Sequence, residues 1–229
     1  MTISAVAIRK CRIMIVPTYL PTRETGMRLY VTPTSPYARL AMIIRLEKGL
    51  ADRVALVWTR TRQPNDPIYA FNPSGRIPYL LLEDGTGYED TDVIVPYLDD
   101  LAPPRRFDPP SGEAYWPFRR LQATSRSILD GISVWAREVV RPKNEQSPSI
   151  LAHERQRAIR LTDYFESTIE NPLLAGNLNI PQLLLFCALD VERRLTDWDW
   201  RTGRPGLTDW YTRMLDVPSV DQSLPPPGD

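Results

Sequence analysis

Three short segments of the chain carry residue types that could do chemistry together, and the first of them contains Ser35. A serine followed by a proline, here Pro36, is typical of a helix N-cap with proline at the first helical position. A helix N-terminus carries about half a positive charge and several unpaired N–H groups, so an anion would be stabilised beside the Ser35 hydroxyl. The same pair also occurs as an ordinary cap worth about 1 kcal/mol of stability. The motif alone does not separate the two interpretations.

The other two segments are Ile77-Pro78 and Asp90-Thr91. Pro78 begins a predicted strand, where a proline cannot donate to the ladder. A cis peptide at this bond would expose the neighbouring backbone groups to a ligand, although trans is the usual form. Asp90 and Thr91 open a predicted helix with Thr91 as its cap. The hydroxyl and free N–H groups would bind a carboxylate and Asp90 would hold an ammonium, which together fit the α-group of an amino acid. A capped helix with a nearby acid is the structural alternative.

Composition excludes several classes of protein. The 229 residues include 28 Lys+Arg and 28 Asp+Glu, and this zero net charge argues against a nucleic-acid partner. One histidine, His153, and two cysteines, Cys11 and Cys187, exclude a multi-histidine metal site and a CxxC redox motif, so no metal is expected. Such cysteine usage is typical of a reducing cytosol, and we expect a cytoplasmic location. The longest apolar run, Leu183–Leu189, is far below the ~20 residues that cross a bilayer, so no membrane partner is expected.

The chain from Met27 onward predicts a small α/β domain of order βαβ-ββα. Residues 1–26 are left out of this fold because basic residues and prolines interrupt their apolar pattern. This segment is interpreted as an over-long start, with a targeting peptide as the alternative, and is expected to be disordered if present. Helices are expected after Ser35 and after Thr91, the second with an apolar face that includes Val93. The predicted strands are 27–31, 54–58 and 78–82, with a return strand beginning at Tyr88.

Residues 111–220 predict an all-helical second domain, joined by the proline-rich linker 102–110. Asn179 and Gln182 have the spacing of a capping box before a buried helix. A last helix is expected over 207–215 and a flexible tail over 221–229. His153, Arg60 and Arg62 are expected at the surface. Five tryptophans are expected to serve packing rather than a ligand cage: Trp116, Trp135, Trp198, Trp200 and Trp210.

This order of elements and three of its motifs resemble the glutathione transferase superfamily. The resemblance covers nearly all of residues 27–225, and the sequence from 197 to 220 is similar to that of bacterial serine-type members. It implies a thioredoxin-like glutathione-binding domain over 27–101 followed by the all-α domain over 111–220. The motifs are TSPYARL at Thr34–Leu40, NPSGRIPYLLLEDG at Asn72–Gly85 and EDTDVIVPYLDDL at Glu89–Leu101.

The resemblance also implies roles for the three segments. Ser35 lies where the family's serine meets the glutathione sulfur. Ile77 matches the residue whose backbone pairs with the cysteinyl part, held by a cis-Pro78. Asp90 and Thr91 match the acid–serine pair that binds the γ-glutamyl end, with threonine where serine is usual.

Three further residues are assigned to ligand contacts. Arg76 lies where some family members contact the glycyl carboxylate. Tyr115 and Trp135 are expected to line a hydrophobic site for the second substrate, between the domains. A homodimer is expected by analogy with the family.

A mechanism follows from Ser35. With no cysteine or histidine base expected at the site, the nucleophile would arrive as the thiol of glutathione, whose pKa is about 8.5 when unperturbed. Lowering this pKa by two units requires about 2.7 kcal/mol. A hydrogen bond to a charged group supplies about 1.5–3 kcal/mol and a helix terminus about 0.3–1 kcal/mol. Ser35 at a helix N-terminus is therefore sufficient to hold the thiolate for attack on a small hydrophobic electrophile.

Two alternatives to a conventional transferase stay open. One is a catalytically silent module of the same fold that binds glutathione or a partner protein. The other is a glutathione-dependent dehalogenase, isomerase or ether-cleaving enzyme, because one fold supports many chemistries.

Overall fold

A computed structural model describes residues 26–195 and 197–224 of the chain. The expectations for residues 1–25, including Cys11, and for the proline-rich end at 225–229 lie outside the described residues. Among the residues that are described, no helix combines the length and the apolar character that crossing a bilayer requires.

A four-stranded mixed sheet forms the N-terminal part of the molecule. Its strands are β1 (Met27–Val31), β2 (Val54–Trp58), β3 (Tyr79–Leu81) and β4 (Gly87–Glu89), in the order β2-β1-β3-β4. β1 and β2 are parallel, with Met27 opposite Val54, while β3 is antiparallel to both β1 and β4. The βαβ-ββα prediction is therefore confirmed. The parallel strands β1 and β2 are joined by a connection long enough for a helix, whereas the antiparallel strands β3 and β4 are joined by a short turn.

Two helices complete this part. Helix α1 (Pro36–Glu47) follows β1, and helix α2 (Thr91–Asp100) follows β4. Every residue of α1 from 38 to 45 is buried, because the helix lies between the sheet and the helical part of the chain. Lys48, just after α1, pairs at 2.7 Å with Asp99 of α2, and both side chains are almost fully buried. This ion pair fixes the two helices to each other.

The rest of the described chain is helical and shares one core with the sheet. Its centre is helix α5, in which all ten residues are buried and whose N-terminus carries the expected capping box of Asn179 and Gln182. This confirms the capping prediction. The helices are α3 (Tyr115–Val139), α4 (Pro148–Ser167), α5 (Ile180–Leu189), α6 (Pro205–Leu215) and α7 (Pro218–Gln222).

Three expectations about packing are wrong. Trp116 is 74% exposed rather than packed, although the other four of the five tryptophans expected to pack are buried. Val93 is 46% exposed, because Ile94, Val95 and Leu98 form the buried face of α2 instead. The segment expected to be a flexible tail includes the last two residues of α7 and the buried Ser223, whose hydroxyl accepts a hydrogen bond from the Arg39 guanidinium at 3.1 Å. His153, Arg60 and Arg62 are exposed, as expected.

Candidate functional site

The Ser35 side chain caps helix α1. Its Oγ accepts a hydrogen bond from the backbone N–H of Ala38 at 3.1 Å, and Pro36 occupies the first turn. No acidic residue lies in that turn, so the positive end of the helix is not neutralised locally. The hydroxyl also donates to the carbonyl oxygen of Ile77 at 3.4 Å. This O···O distance exceeds the usual range for such bonds, so the hydroxyl proton is only weakly engaged.

The contact with Ile77 joins two segments that are 42 residues apart. The Ile77-Pro78 peptide bond is cis, as the family resemblance implies. The preceding loop is held by Asn72, which is fully buried and donates from Nδ2 to the carbonyl of Arg76 at 2.9 Å. The fold therefore presents the Ser35 hydroxyl and the Ile77 backbone side by side at the N-terminus of α1.

The third segment differs from the prediction in one respect: Asp90, not Thr91, is the N-cap of α2. The Asp90 carboxylate accepts from the backbone N–H of Asp92 at 3.0 Å, which makes Thr91 the first helical residue. Asp90 has φ +70° and ψ 137°, an unfavourable conformation for a residue with a Cβ that costs about 1–3 kcal/mol. The strained backbone turns this side chain toward helix α3.

Arg126 of α3 is a functional candidate that sequence reasoning missed. Its guanidinium donates to the Thr91 hydroxyl at 2.8 Å and to the Asp90 carboxylate at 3.3 Å, and it pairs with Asp92 at 2.9 Å. Arg126 lies 35 residues after Thr91 in the chain, inside a helix with many charged residues, so no local pattern marks it. The side chain connects the α/β part of the site to the helical part.

The charges of this cluster are stable at neutral pH. Burial disfavours the charged form of Asp90, but the Asp92 N–H and the Arg126 and Arg76 guanidiniums lower the pKa of Asp90. Burial likewise disfavours the charged form of Arg126, but Asp92, Asp90 and Asp130 raise its pKa. A carboxylate, a hydroxyl and a guanidinium therefore stand together, which can hold an ammonium and a carboxylate on the same ligand.

Arg76 belongs to the same end of the site. Its guanidinium lies 4.0 Å from the Asp90 carboxylate, and 73% of its side chain is exposed. The structure thus brings Arg76 to Asp90, and a contact with a glycyl carboxylate stays a prediction.

Tyr37, next to the cap of α1, makes a second link to α3. Its hydroxyl donates to the Asp130 carboxylate, and the Arg126 guanidinium lies 5.6 Å from the centre of its ring. Burial, and then the hydrogen bond to Asp130, raise the pKa of Tyr37. The phenol therefore stays neutral and serves as a contact between the two parts of the site.

A cavity of about 180 Å³ opens beside Ser35. Its lining includes a buried ion pair between Arg39 of α1 and Asp190, which follows α5. Asp190 also accepts from Tyr211 Oη at 2.6 Å and from Arg193 Nε at 3.0 Å. Burial raises the pKa of Cys187, which also lines this cavity, to about 12, so the thiol is protonated and is not a nucleophile.

The two residues expected to line the second-substrate site lie apart from the Ser35 cavity, and their role stays a prediction. Neither Tyr115 nor Trp135 lines the Ser35 cavity. Trp135 is buried and lines a separate cavity of about 360 Å³ between α3 and α4. The ring of Tyr115 packs edge to face against that of Trp116, with 5.0 Å between the ring centres. The aromatic side chain among the residues that line the Ser35 cavity is Trp58, at the end of β2.

Comparison with known proteins agrees with this geometry. Residues 34–101 match the family model of the glutathione S-transferase N-terminal domain. Two structures of a glutathione transferase family member from Pseudomonas fluorescens Pf-5 cover 88% of this chain and all of theirs. The one with bound glutathione has 29% identity and a TM-score of 0.80, and the one with bound S-(propanoic acid)-glutathione has 30% and 0.77. Glutathione S-transferase 2 of Saccharomyces cerevisiae is 27% identical over 86% of this chain and 89% of its own.

A mixed sheet with a cis-proline before β3, followed by a helical domain around a capped central helix, defines the glutathione transferase fold. The chain belongs to the glutathione transferase superfamily.

Proposed function

We propose that this protein is a glutathione transferase in which Ser35 stabilises the thiolate of bound glutathione for attack on an electrophile. The single observation that carries the proposal is the 3.4 Å approach of the Ser35 hydroxyl to the Ile77 carbonyl at the N-terminus of α1. A cysteinyl group that pairs with the Ile77 backbone has its sulfur within reach of Ser35. Glutathione bound to the Pseudomonas relative supports the choice of ligand.

The thiolate is stabilised by two effects at this position. The Ser35 hydroxyl exchanges its weak bond to Ile77 for a charge-assisted bond to sulfur, and the free N–H groups of α1 add the field of the helix terminus. The thiol proton leaves to solvent. The sulfur then forms a bond to the electrophilic carbon, and the leaving group departs with its electron pair.

The γ-glutamyl end binds at the start of α2. Its ammonium pairs with Asp90, which the lowered pKa keeps ionised. Its carboxylate accepts from the Thr91 hydroxyl and from the Arg126 guanidinium, which are already 2.8 Å apart. Arg126 therefore becomes a ligand residue as well as a link between the two parts of the molecule.

Thermal unfolding in the presence of glutathione tests the binding step. A ligand at about 100 times its Kd adds about 2.7 kcal/mol, which for a chain of this size raises Tm by roughly 5–10 °C. Cysteinylglycine, which lacks the γ-glutamyl group, should give a smaller rise. Arg126→Gln should reduce the difference between the two ligands, whereas Arg120→Gln, at an exposed position of the same helix, should preserve it.

Conjugation of a chloro-dinitrobenzene in the same preparation tests the chemistry. Absence of any glutathione-dependent rise in Tm would contradict the proposal entirely. Glutathione binding with no turnover of any electrophile would indicate the silent module instead.

The homodimer and the cytoplasmic location are carried over from the family resemblance and the cysteine usage. The exposed indole of Trp116 and the exposed Val93 side chain are apolar surfaces that a second subunit would cover.

A further inference from the structure

The cavity beside Ser35 is strongly positive. Arg39, Arg193 and Arg194 line it, and Asp190 is the one acid among its lining residues. Three guanidiniums against one carboxylate leave two positive charges in excess. The Cys187 thiol, with its raised pKa, adds no negative charge. The N-terminus of α1 points into the same space and increases the positive potential.

The Asp190 carboxylate already forms ion pairs with two of these three arginines. It pairs with Arg39, whose guanidinium also donates to Ser223 and to the carbonyl of Val220, and it accepts a hydrogen bond from Arg193. Arg39 is therefore neutralised and fixed in place. A ligand that enters the cavity has little to gain from this buried ion pair.

Arg194 is in a different situation. Within residues 26–195 and 197–224 its guanidinium has neither an ion pair nor a side-chain hydrogen bond. Partial burial lowers its pKa, and Asp190 offsets this only in part, although an arginine remains a cation under all ordinary conditions. The Arg194 side chain is exposed and therefore hydrated, and an anion in the cavity would gain a charge-assisted contact with it.

The cavity is also lined by apolar and aromatic side chains. Trp58 at the end of β2 and Met42 of α1 line it together with Pro33 and Val191. Its volume of about 180 Å³ is equivalent to about six water molecules, which suits one substituted aromatic ring better than a larger molecule. A flat ring against Trp58 would place a substituent near the guanidiniums.

We propose that the preferred second substrate is an aromatic electrophile that carries a negative charge, and that Arg194 determines this specificity by pairing with the anionic substituent. The inference rests on the proposed function. For a chloro-dinitrobenzoate, the glutathione sulfur forms a bond to the ring carbon, the C–Cl bond breaks, and chloride leaves with the electron pair while the thiol proton has gone to solvent. The carboxylate is unchanged by the reaction and serves only for recognition.

The test compares chloro-dinitrobenzoate with neutral chloro-dinitrobenzene at saturating glutathione. The measured quantity is the ratio of kcat/KM for the anionic electrophile to kcat/KM for the neutral one. Arg194→Gln should lower this ratio by about twofold to fivefold, the value of one exposed cation–carboxylate contact. Arg160→Gln, which removes a positive charge from an exposed position on α4, should leave the ratio unchanged.

The glycyl carboxylate of glutathione is the other anion that this cavity would accept. If Arg194 binds that group instead, Arg194→Gln raises the KM for glutathione with both electrophiles and leaves their ratio unchanged, which overturns the proposal. An unchanged ratio without any effect on glutathione overturns it as well.

A binding measurement separates this inference from the proposed function. Quenching of tryptophan fluorescence by unreactive dinitrobenzoate and by dinitrobenzene, with glutathione present, reports occupancy even when nothing is turned over. The inference is supported, even if catalysis fails, when the anionic compound binds more tightly than the neutral one and this preference is lost in Arg194→Gln but kept in Arg160→Gln. Equal binding of both compounds to the unsubstituted protein contradicts it although catalysis succeeds.

Discussion

Replacing Ser35 by alanine should raise the pKa of the bound glutathione thiol by about one to two units. The Ser35 hydroxyl now donates to the Ile77 carbonyl at 3.4 Å, so little energy is lost when it turns to the sulfur instead. A hydrogen bond to a charged group is worth about 1.5–3 kcal/mol, and 1.36 kcal/mol corresponds to one pKa unit. The field of the α1 terminus, about 0.3–1 kcal/mol, remains in the variant, so the thiol should still be slightly more acidic than in free glutathione.

The assay is the ultraviolet absorbance of the thiolate in the protein–glutathione complex as a function of pH, together with the pH profile of conjugation. At a pH below the thiol pKa of the unsubstituted protein, the rate of the variant should be lower by about tenfold for each unit by which the pKa has risen. At a pH above both thiol pKa values, the conjugation rates of the two proteins should become similar.

The chain contains a matched control for this variant. Ser147 caps α4 and also precedes a proline, Pro148, with its hydroxyl accepting from the Ile150 N–H at 3.5 Å. Both Ser35→Ala and Ser147→Ala should lose about 1 kcal/mol of capping stability, a Tm decrease of about 2–4 °C. Only Ser35→Ala should move the thiol pKa. An unchanged thiol pKa in Ser35→Ala, or the same shift in both variants, would refute the role assigned to Ser35.

Two further predictions concern buried ion pairs, of which Arg39–Asp190 joins the α/β part to the helical part and Lys48–Asp99 joins α1 to α2. Asp190→Asn should destabilise the fold by about 3 kcal/mol in urea unfolding, because it leaves the buried Arg39 without its counter-ion; a loss below about 1 kcal/mol would show that Ser223 and Val220 suffice as partners. Burial opposes ionisation of Asp99, but Lys48 and the backbone N–H groups of Phe107 and Arg106 lower the pKa of Asp99 in the folded protein. The ionised carboxylate therefore stabilises the fold at any pH above 3.8, the pKa of the unfolded chain. This stabilisation is lost as the pH falls through the lower pKa of the folded protein. Asp99→Asn should therefore be less stable at pH 7 and should flatten the acid limb of the stability curve below about pH 4, and an equally steep limb in this variant would contradict the assignment.

Local patterns predicted much of the fold because they depend on neighbours in the chain. The Ser35-Pro36 cap, the Asn179–Gln182 capping box and the short β3–β4 turn each involve residues only a few positions apart. The Asp90 N-cap was assigned one residue too late, since a threonine and an aspartate are both good caps. Which of them caps α2 depends on the strained Asp90 backbone, which no propensity indicates.

Patterns of hydrophobic residues were less reliable at surfaces. Trp116 and Val93 fit the apolar periodicity of their helices, but both are exposed. Periodicity identifies the side of a helix that is apolar, whereas burial also requires another element to cover it. The expected boundary of the tail at residue 221 failed for a related reason, because Ser223 is buried by a partner as distant in sequence as Arg39.

The residues that give the candidate site its specificity were the least accessible from sequence. Arg126 and Arg194 are two of 28 Lys and Arg residues. Arg126 lies within α3 and Arg194 directly follows a short helical turn, and both sequence segments are typical of an ordinary charged surface. What distinguishes them is position: Arg126 is fixed by the Asp90 and Thr91 side chains, whereas Arg194 borders the Ser35 cavity with no anion of its own. In the proposed function the α/β part supplies a place for the thiol, and in the proposed specificity arginines from the helical part determine which carboxylates can approach it. The chemistry of the thiolate can thus stay constant while changes in the helical part alter the second substrate.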